Sequence, residues 1–191
     1  MTRHVCSLRK LLYAGIAVLI VCGAAAQAQE ARLKDIIVTN TRDDLLVYLT
    51  VEGAFNEQMR EAIASGVPTT FRFFVSLYED RKLWFDRKIA DIKVTHTIKY
   101  DNLKREYSIQ RSWAEGDPKT THAFTEAREL MSEIDHLHII PLSRLERGKL
   151  YQIRAKAGLS KLKLPLNLQY ALFFVSLWNF ETDWYTVSFI Y

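Results

Sequence analysis

Cysteine, glycine and proline are all scarce in this sequence of 191 residues, which has 2, 7 and 4 of them. Both cysteines, Cys6 and Cys22, precede residue 29, so the rest of the chain has no disulfide and no thiol nucleophile. The glycines are scattered and form no phosphate-binding loop. With 49% hydrophobic and 25% charged residues, the composition excludes a collagenous, low-complexity or disordered chain.

Catalytic motifs are missing as well. The sequence has no G-x-S-x-G nucleophile elbow, so we expect no enzyme activity, no catalytic residue and no cofactor. The formal net charge of +4 falls to about +1 without residues 1–28, because Arg3, Arg9 and Lys10 contribute three of these charges. A nearly neutral domain gives no reason to expect a nucleic-acid partner.

Asp135, His136 and His138 are the best candidates for metal ligands. On a β-strand the two imidazoles would point to one face, which is a usable ligand spacing. A complete site would also need His96 or His122 nearby. We therefore expect surface histidines here and no metal site.

The first 28 residues have the order of a secretory signal peptide. A basic segment, Met1–Lys10, precedes an apolar run, Leu11–Cys22, and Ala26-Gln27-Ala28 follows. The apolar run is shorter than the ~20 residues of a membrane-spanning helix. We expect cleavage after Ala28, which leaves residues 29–191 as a single β-rich exported domain. A retained N-terminal anchor and a lipid anchor on Cys22 are the alternatives.

Alternation of apolar and polar residues predicts strands along most of the chain after residue 29. Two helices interrupt them, Glu57–Ser65 with Asn56 as its N-cap, and His122–Asp135. Pro165–Val175 fits either a helix or a strand. We predict a mainly β fold, an immunoglobulin-like β-sandwich with two short inserted helices. The clearest predicted strands are Leu45–Glu52, Thr70–Tyr78, Ile92–Tyr100 and Asp183–Tyr191.

The segment from Leu145 to Tyr151 resembles the tyrosine corner of immunoglobulin-like sandwiches. Leu145 is followed by a turn glycine, Gly148, and Tyr151 then enters an alternating strand. In such a corner the tyrosine hydroxyl bonds the backbone of the preceding loop. The alternative is an ordinary loop before a strand.

Basic residues concentrate between residues 81 and 111, which hold nine Lys or Arg against four Asp or Glu. Strand alternation places Lys93 and Lys99 on one face. Together with Lys104 and Arg105 they form a candidate interaction surface for an acidic protein patch or an anionic membrane surface. The alternative is a solvated sheet face whose lysines prevent aggregation.

The chain from Pro165 onwards has no Lys or Arg and is rich in aromatic residues. Trp178, Trp184 and Tyr185 are the candidates for an aromatic recognition surface, since Trp and Tyr dominate binding hot spots. An apolar aromatic cleft for a small molecule or lipid is the second interpretation. Ordinary sandwich core and a β-rich last strand are the third.

Five stretches, spread over nearly all of residues 29–191, resemble the bacterial exported-protein family catalogued as domain of unknown function 4390. They are VTNTRDDLLVYLTVEGAF, SGVPTTFRFFVSLYEDRKLW, HTIKYDNLKREYSI, LERGKLYQIRAKA and FVSLWNFETDWYTVSFIY. The resemblance implies a periplasmic protein of a Gram-negative bacterium. It also implies a link to membrane sensor kinases, near which members of the family are encoded.

Together these observations predict an exported, non-enzymatic envelope module with an interaction or regulatory role. The expected partner is an envelope protein or an anionic membrane surface. The alternative function is a periplasmic small-molecule or lipid-binding protein.

Overall fold

The computed structural model describes residues 30–81, 85–160 and 180–191. Strands make up 56% of them and helices 14%, so the predicted mainly β fold with two short α-helices is confirmed. The predicted signal peptide, the segment Pro165–Val175 and Trp178 lie outside the described residues. The strands form two sheets, one of which curls like half a barrel.

The smaller sheet has three antiparallel strands in the order β1-β2-β7. Alternate residues of β2, from Leu45 to Val51, are buried, as the sequence pattern predicted. The strands are β1 (Arg32–Asn40), β2 (Asp44–Glu52) and β7 (Glu133–Pro141).

The larger sheet has six strands in the order β6-β5-β4-β3-β8-β9, and every neighbouring pair is antiparallel. Its central strand buries Phe71, Phe73, Val75 and Leu77 completely. The strands are β3 (Thr69–Glu79), β4 (Arg87–Asp101), β5 (Glu106–Arg111), β6 (Lys119–Thr121), β8 (Leu150–Leu159) and β9 (Tyr185–Ile190).

Buried side chains of both sheets belong to one continuous core, to which helix α1 (Glu57–Ala64) adds Met59 and Ile63. As predicted, Asn56 caps α1: its Oδ1 accepts a hydrogen bond from the Met59 N–H at 2.8 Å. Neither α-helix described here has the length and apolar character needed to cross a membrane.

Helix α2 spans Phe124–Ser132 and is shorter than the predicted His122–Asp135. Strand β7 begins at the next residue, Glu133, and Ile134 pairs with Leu49 of β2. Ile134 fits the helical periodicity, but its pairing with the sheet determines its conformation. Local periodicity therefore predicted the start of α2 better than its end.

The β4–β5 hairpin turns at residues 102–105. The Asp101 carboxylate accepts hydrogen bonds from the N–H groups of Leu103 (2.9 Å) and Lys104 (3.1 Å). Arg105 has a positive φ of 55°. This turn fixes where the basic residues at the end of β4 emerge from the sheet.

Candidate interaction face

The outer face of the six-stranded sheet is the side whose residues alternate with the buried ones. On β3 it presents Arg72, Phe74 and Tyr78, all partly exposed, between fully buried neighbours. On β4 it presents Lys93 and Lys99, both exposed. This face is therefore a solvated surface that combines aromatic rings with cations.

A row of cations and rings crosses the middle of this face. Phe74 pairs with Lys93 on β4 and with Lys156 on β8, so a lysine stands on either side of its ring. The Lys93 Nζ lies 5.6 Å from the centroid of the Phe74 ring, and the Lys156 Nζ lies 5.7 Å from that of Trp184. These distances permit cation–π attraction, which keeps the ammonium groups at the surface of the sheet.

A second group surrounds Tyr78 further along β3. The Arg154 guanidinium carbon lies 4.3 Å from the centroid of its ring, and the Lys88 Nζ lies 5.6 Å from it. Arg154 also forms an ion pair with Asp86, and Lys88 with Asp91 at 3.1 Å. Hydrogen bonds from Ser76 Oγ and then from Lys88 hold the pKa of Asp91 below its ordinary value. The charges of this group are thus largely paired.

The basic residues predicted from the sequence lie along β4 and its turn, and we call Lys93, Lys99, Lys104 and Arg105 the β4 basic stripe. All four are exposed. Within residues 30–81, 85–160 and 180–191, Lys104 forms an ion pair with Glu106 (3.6 Å), whereas the other three have no ion-pair partner. The stripe is therefore the part of the outer face with cations available to a partner.

Trp184 and Tyr185, the two described aromatic candidates, lie at the start of β9 and have different neighbours. Trp184, 55% exposed, contacts Lys156 of the outer face. Tyr185 pairs with Ala155 and lines a cleft of about 460 Å³ together with Trp184. The other side chains at this cleft are mainly charged: Glu30, Arg32, Glu52, Glu181 and Asp183.

The predicted corner residues lie together at the turn that leads into β8. Tyr151 is buried, and its Oη accepts a hydrogen bond from the N–H of Glu146 at 2.8 Å. Leu145 is buried beneath the turn, and Gly148 has a φ of +78°, which glycine adopts most readily. The hydroxyl thus contacts the backbone within the loop that the sequence indicated.

A buried carboxylate lies near this corner. Glu79 is 4% exposed and accepts hydrogen bonds from Lys149 Nζ (2.9 Å) and Arg87 Nε (2.8 Å). The bond from Lys149, followed by that from Arg87, lowers the pKa of Glu79 in spite of its burial. This cluster joins the ends of β3, β4 and β8 and is satisfied internally.

His96 of β4 is fully buried and lies beside the C-terminal end of α2. Both of its ring nitrogens have hydrogen-bond partners. The Trp113 indole N–H donates to Nε2 at 2.8 Å, so Nδ1 carries the proton that is donated to the Met131 carbonyl at 3.0 Å. Burial lowers the pKa of His96 to about 4. His96 is therefore a neutral structural histidine.

The other histidines of the metal hypothesis do not converge. His136 has a φ of +42° in an irregular part of β7 and packs its ring against Trp113. His138 Nε2 lies 2.7 Å from a carboxylate oxygen of Asp44. Among the described residues no group of three potential ligands could hold a metal ion.

Sequence reasoning missed several residues of the outer face, namely Phe74, Tyr78, Arg154 and Lys156. The alternation of β3 already placed Arg72, Phe74, Ser76 and Tyr78 on one side. The sequence pattern does not show that β3 pairs with both β4 and β8, and this pairing brings cations to both sides of the rings.

Comparison with known proteins identifies the family but adds no named relative. No curated protein and no solved structure matches the chain. Residues 28–188 match the model of the family described as Domain of unknown function (DUF4390), which confirms the resemblance found in the sequence. Because this match covers most of the sequence, the chain belongs to the DUF4390 family.

Proposed function

We propose that this protein is an exported, non-enzymatic interaction module of the bacterial envelope, which binds an acidic surface of another envelope protein through the outer face of its six-stranded sheet. The observation that carries the proposal is the β4 basic stripe, in which Lys93, Lys99 and Arg105 have no ion-pair partner among the described residues. The family resemblance favours a membrane sensor kinase as the partner and a regulatory role.

Charge and composition favour a protein partner over a membrane. Polybasic segments that bind anionic lipid have 4–8 clustered basic residues. In the β4 basic stripe, by contrast, the ion pair of Lys104 with Glu106 leaves three cations unpaired among the described residues. Ion pairs with Asp86, Asp91 and Glu181 occupy three further cations of the outer face. Trp and Tyr are enriched in protein-binding hot spots, and Trp184 is exposed on this face beside Lys156. An anionic membrane surface remains the competing partner in the experiment below.

We also propose an immunoglobulin-like layout for the fold. In that layout one sheet contains the first, second and fifth strands (A, B and E), and the other contains C, F and G. Strands β1-β2-β7 and β3-β8-β9 match these two sets in order if β4 and β5 are the extra strands of the variable type. The Tyr151 hydroxyl at the start of β8 supports the match. In contrast to the pattern, β6 pairs with β5 and not with β7.

A small-molecule site at the cleft beside Trp184 and Tyr185 is the second candidate function. Its volume of about 460 Å³ is within the range of ligand pockets. The carboxylates of Glu30 and Asp183 on its walls have no ion-pair partner among the described residues and favour a cationic ligand over a lipid. Calorimetric titration with choline and with a fatty acid would distinguish the two, because only choline is expected to release heat.

The proposed partner surface is tested by photocrosslinking in intact cells. A photoreactive amino acid at Gln110, which pairs with Thr97 beside the β4 basic stripe, is expected to give a defined adduct with an envelope protein. The adduct should disappear when Lys93, Lys99, Lys104 and Arg105 are all changed to Gln. The same amino acid at Thr39, on the exposed edge of β1, is expected to give no such adduct.

A matched variant controls for loss of charge. Changing Arg42, Arg128, Arg144 and Arg147 to Gln removes four exposed cations elsewhere and should leave the adduct intact. Identical behaviour of both variants would contradict the proposal. Co-sedimentation with anionic vesicles that depends on the same four stripe residues, without a protein adduct, would assign the face to the membrane. Such binding should weaken with salt, because the Debye length falls from about 10 Å at 0.1 M salt to about 3 Å at 1 M.

A further inference from the structure

The four edge strands of the two sheets differ in how they are protected against pairing with another strand. Exposed edges are normally blunted by short length, bulges, proline or charge. Strand β6 has only three residues. Strand β1 contains Arg32, Lys34 and Asp35, and its register shifts between Lys34 and Ile37. Strand β7 has two register shifts and ends at Pro141.

Strand β9 has none of these protections. Its pairing with β8 is regular over six residues, and the sequence from Trp184 to Tyr191 contains no charged residue and no proline. Within the part of the chain that the structure describes, β9 pairs with β8 alone. Ile190, on this strand, is 73% exposed, and its neighbour Leu150 on β8 is 36% exposed. Among the described residues, this edge is thus unpaired and uncharged.

The direction of the free backbone groups follows from the hydrogen bonds at the end of β9. The Tyr191 N–H donates to the Lys149 carbonyl at 3.2 Å, and its own carbonyl accepts from Gly148. Because bonding direction alternates along an antiparallel strand, Tyr185, Val187 and Phe189 also bond towards β8. Thr186, Ser188 and Ile190 therefore direct their N–H and C=O groups to the free edge.

We propose that two copies of this chain associate by antiparallel pairing of their β9 edges, about a twofold axis at Ser188. This register uses the backbone groups of all three free-edge residues, since Thr186 faces Ile190 of the second copy and Ser188 faces its own equivalent. Ser188 lies on the axis and meets its own equivalent, so a charged residue at this position would repel its copy. The absence of charged side chains from Trp184 to Tyr191 permits such self-pairing, and the symmetric register makes a second copy the proposed occupant.

The association would join the two six-stranded sheets into one continuous sheet. The outer faces would then form a single surface, with Trp184 and Lys156 of each copy near the twofold axis and the β4 basic stripes towards its ends. The inference does not depend on the proposed partner, because it follows from the edge and not from the face.

Sedimentation equilibrium of the purified protein tests the association through residue 188. The wild type is expected to have twice the mass of the chain at high concentration and to dissociate on dilution. Ser188→Lys and Ser188→Glu should each have the mass of a single chain, because like charges would then meet at the axis. An equimolar mixture of the two variants should regain the doubled mass.

Ser108→Lys is the matched control, since it adds the same charge on β5 of the same face, away from the β9 edge, and should leave the dimer intact. A wild type that remains monomeric at all concentrations would overturn the proposal and leave the β9 edge to a strand of another protein. A dimer that survives Ser188→Lys would overturn it as well. The four-site variant of the β4 basic stripe should still dimerise, so failure of this proposal and of the proposed function are distinguishable.

Discussion

Tyr151 closes the turn before β8 with a single hydroxyl group. Its ring is buried and stacks on Phe189 at a centroid distance of 5.8 Å, and its Oη accepts the hydrogen bond from Glu146. Tyr151→Phe keeps the ring and removes the acceptor, so we expect the free energy of unfolding to fall by about 1 kcal/mol, the net value of one hydrogen bond. Urea denaturation at unchanged slope measures this difference.

Tyr48→Phe is the control for this substitution. Tyr48 is half-buried on β2, and its hydroxyl makes no hydrogen bond to any described residue. Its loss should change the unfolding free energy by a few tenths of a kcal/mol at most. Coincident urea midpoints for Tyr151→Phe and the wild type would show that the hydroxyl contributes nothing to the stability of the corner.

Single residues differ in how far their sequence context predicted their surroundings. The spacing of Leu145, Gly148 and Tyr151 indicated a backbone contact because the whole device lies within seven residues. The spacing of His136 and His138 indicated a shared face because it assumed a regular strand. The positive φ at His136 changes the direction of the side chains there, and no local pattern in the sequence encodes that irregularity.

The end of helix α2 is held by side chains from the six-stranded sheet. The last carbonyl groups of a helix have no partner within it. Here the Leu130 carbonyl accepts from the Arg111 guanidinium (2.8 Å from Nη2), and the Met131 carbonyl accepts from His96. Arg111 also donates to Asp135 at 3.1 Å. The helix is thereby fixed to β4 and β5 without a terminal glycine.

This attachment makes the stability of the protein dependent on pH through His96. Above pH 6.5 the ring is neutral in both the folded and the unfolded protein, and its contacts contribute fully. As the pH falls from 6.5 to about 4, the unfolded chain binds a proton that the folded protein does not. The free energy of unfolding of the wild type should therefore fall by about 3 kcal/mol relative to that of a variant without this group.

His96→Gln supplies that variant. At pH 7 we expect it to be less stable than the wild type, because it loses packing and one of the two buried hydrogen bonds. The difference between the two proteins should shrink by about 3 kcal/mol between pH 7 and pH 4 in denaturant titrations. His122→Gln, at an exposed position, is the control. A difference between wild type and His96→Gln that stays constant with pH would contradict the assigned pKa.

The positions of strands were predictable from the sequence where one face of the strand is buried and the other is exposed. The alternation in Leu45–Glu52 and Thr70–Tyr78 matches β2 and β3, because burial on one side produces the period of two. The end of α2 was not predictable, since the choice between helix and strand at Ile134 depends on Leu49, some 85 residues earlier. The cation and aromatic row depends in the same way on pairing between distant strands.

At the scale of the whole molecule, the order of basic, apolar and alanine-rich segments in residues 1–28 predicts export and cleavage after Ala28. Intact-mass spectrometry of the protein from its native envelope measures the outcome. A mass that corresponds to residues 29–191 is expected. A membrane-bound protein that still contains Met1–Ala28 would show that the segment is an anchor.

Helix α2 passes into β7 without a connecting residue, and this has a mechanical consequence. The helix is attached to β4 and β5 of one sheet, whereas β7 is a strand of the other. Residues 124–141 therefore connect the two sheets directly. No loop separates the helix from the strand, so the helix cannot move independently of β7. Amide hydrogens of the helix and of β7 should exchange with solvent in a single cooperative opening, at a free energy close to that required to separate the sheets.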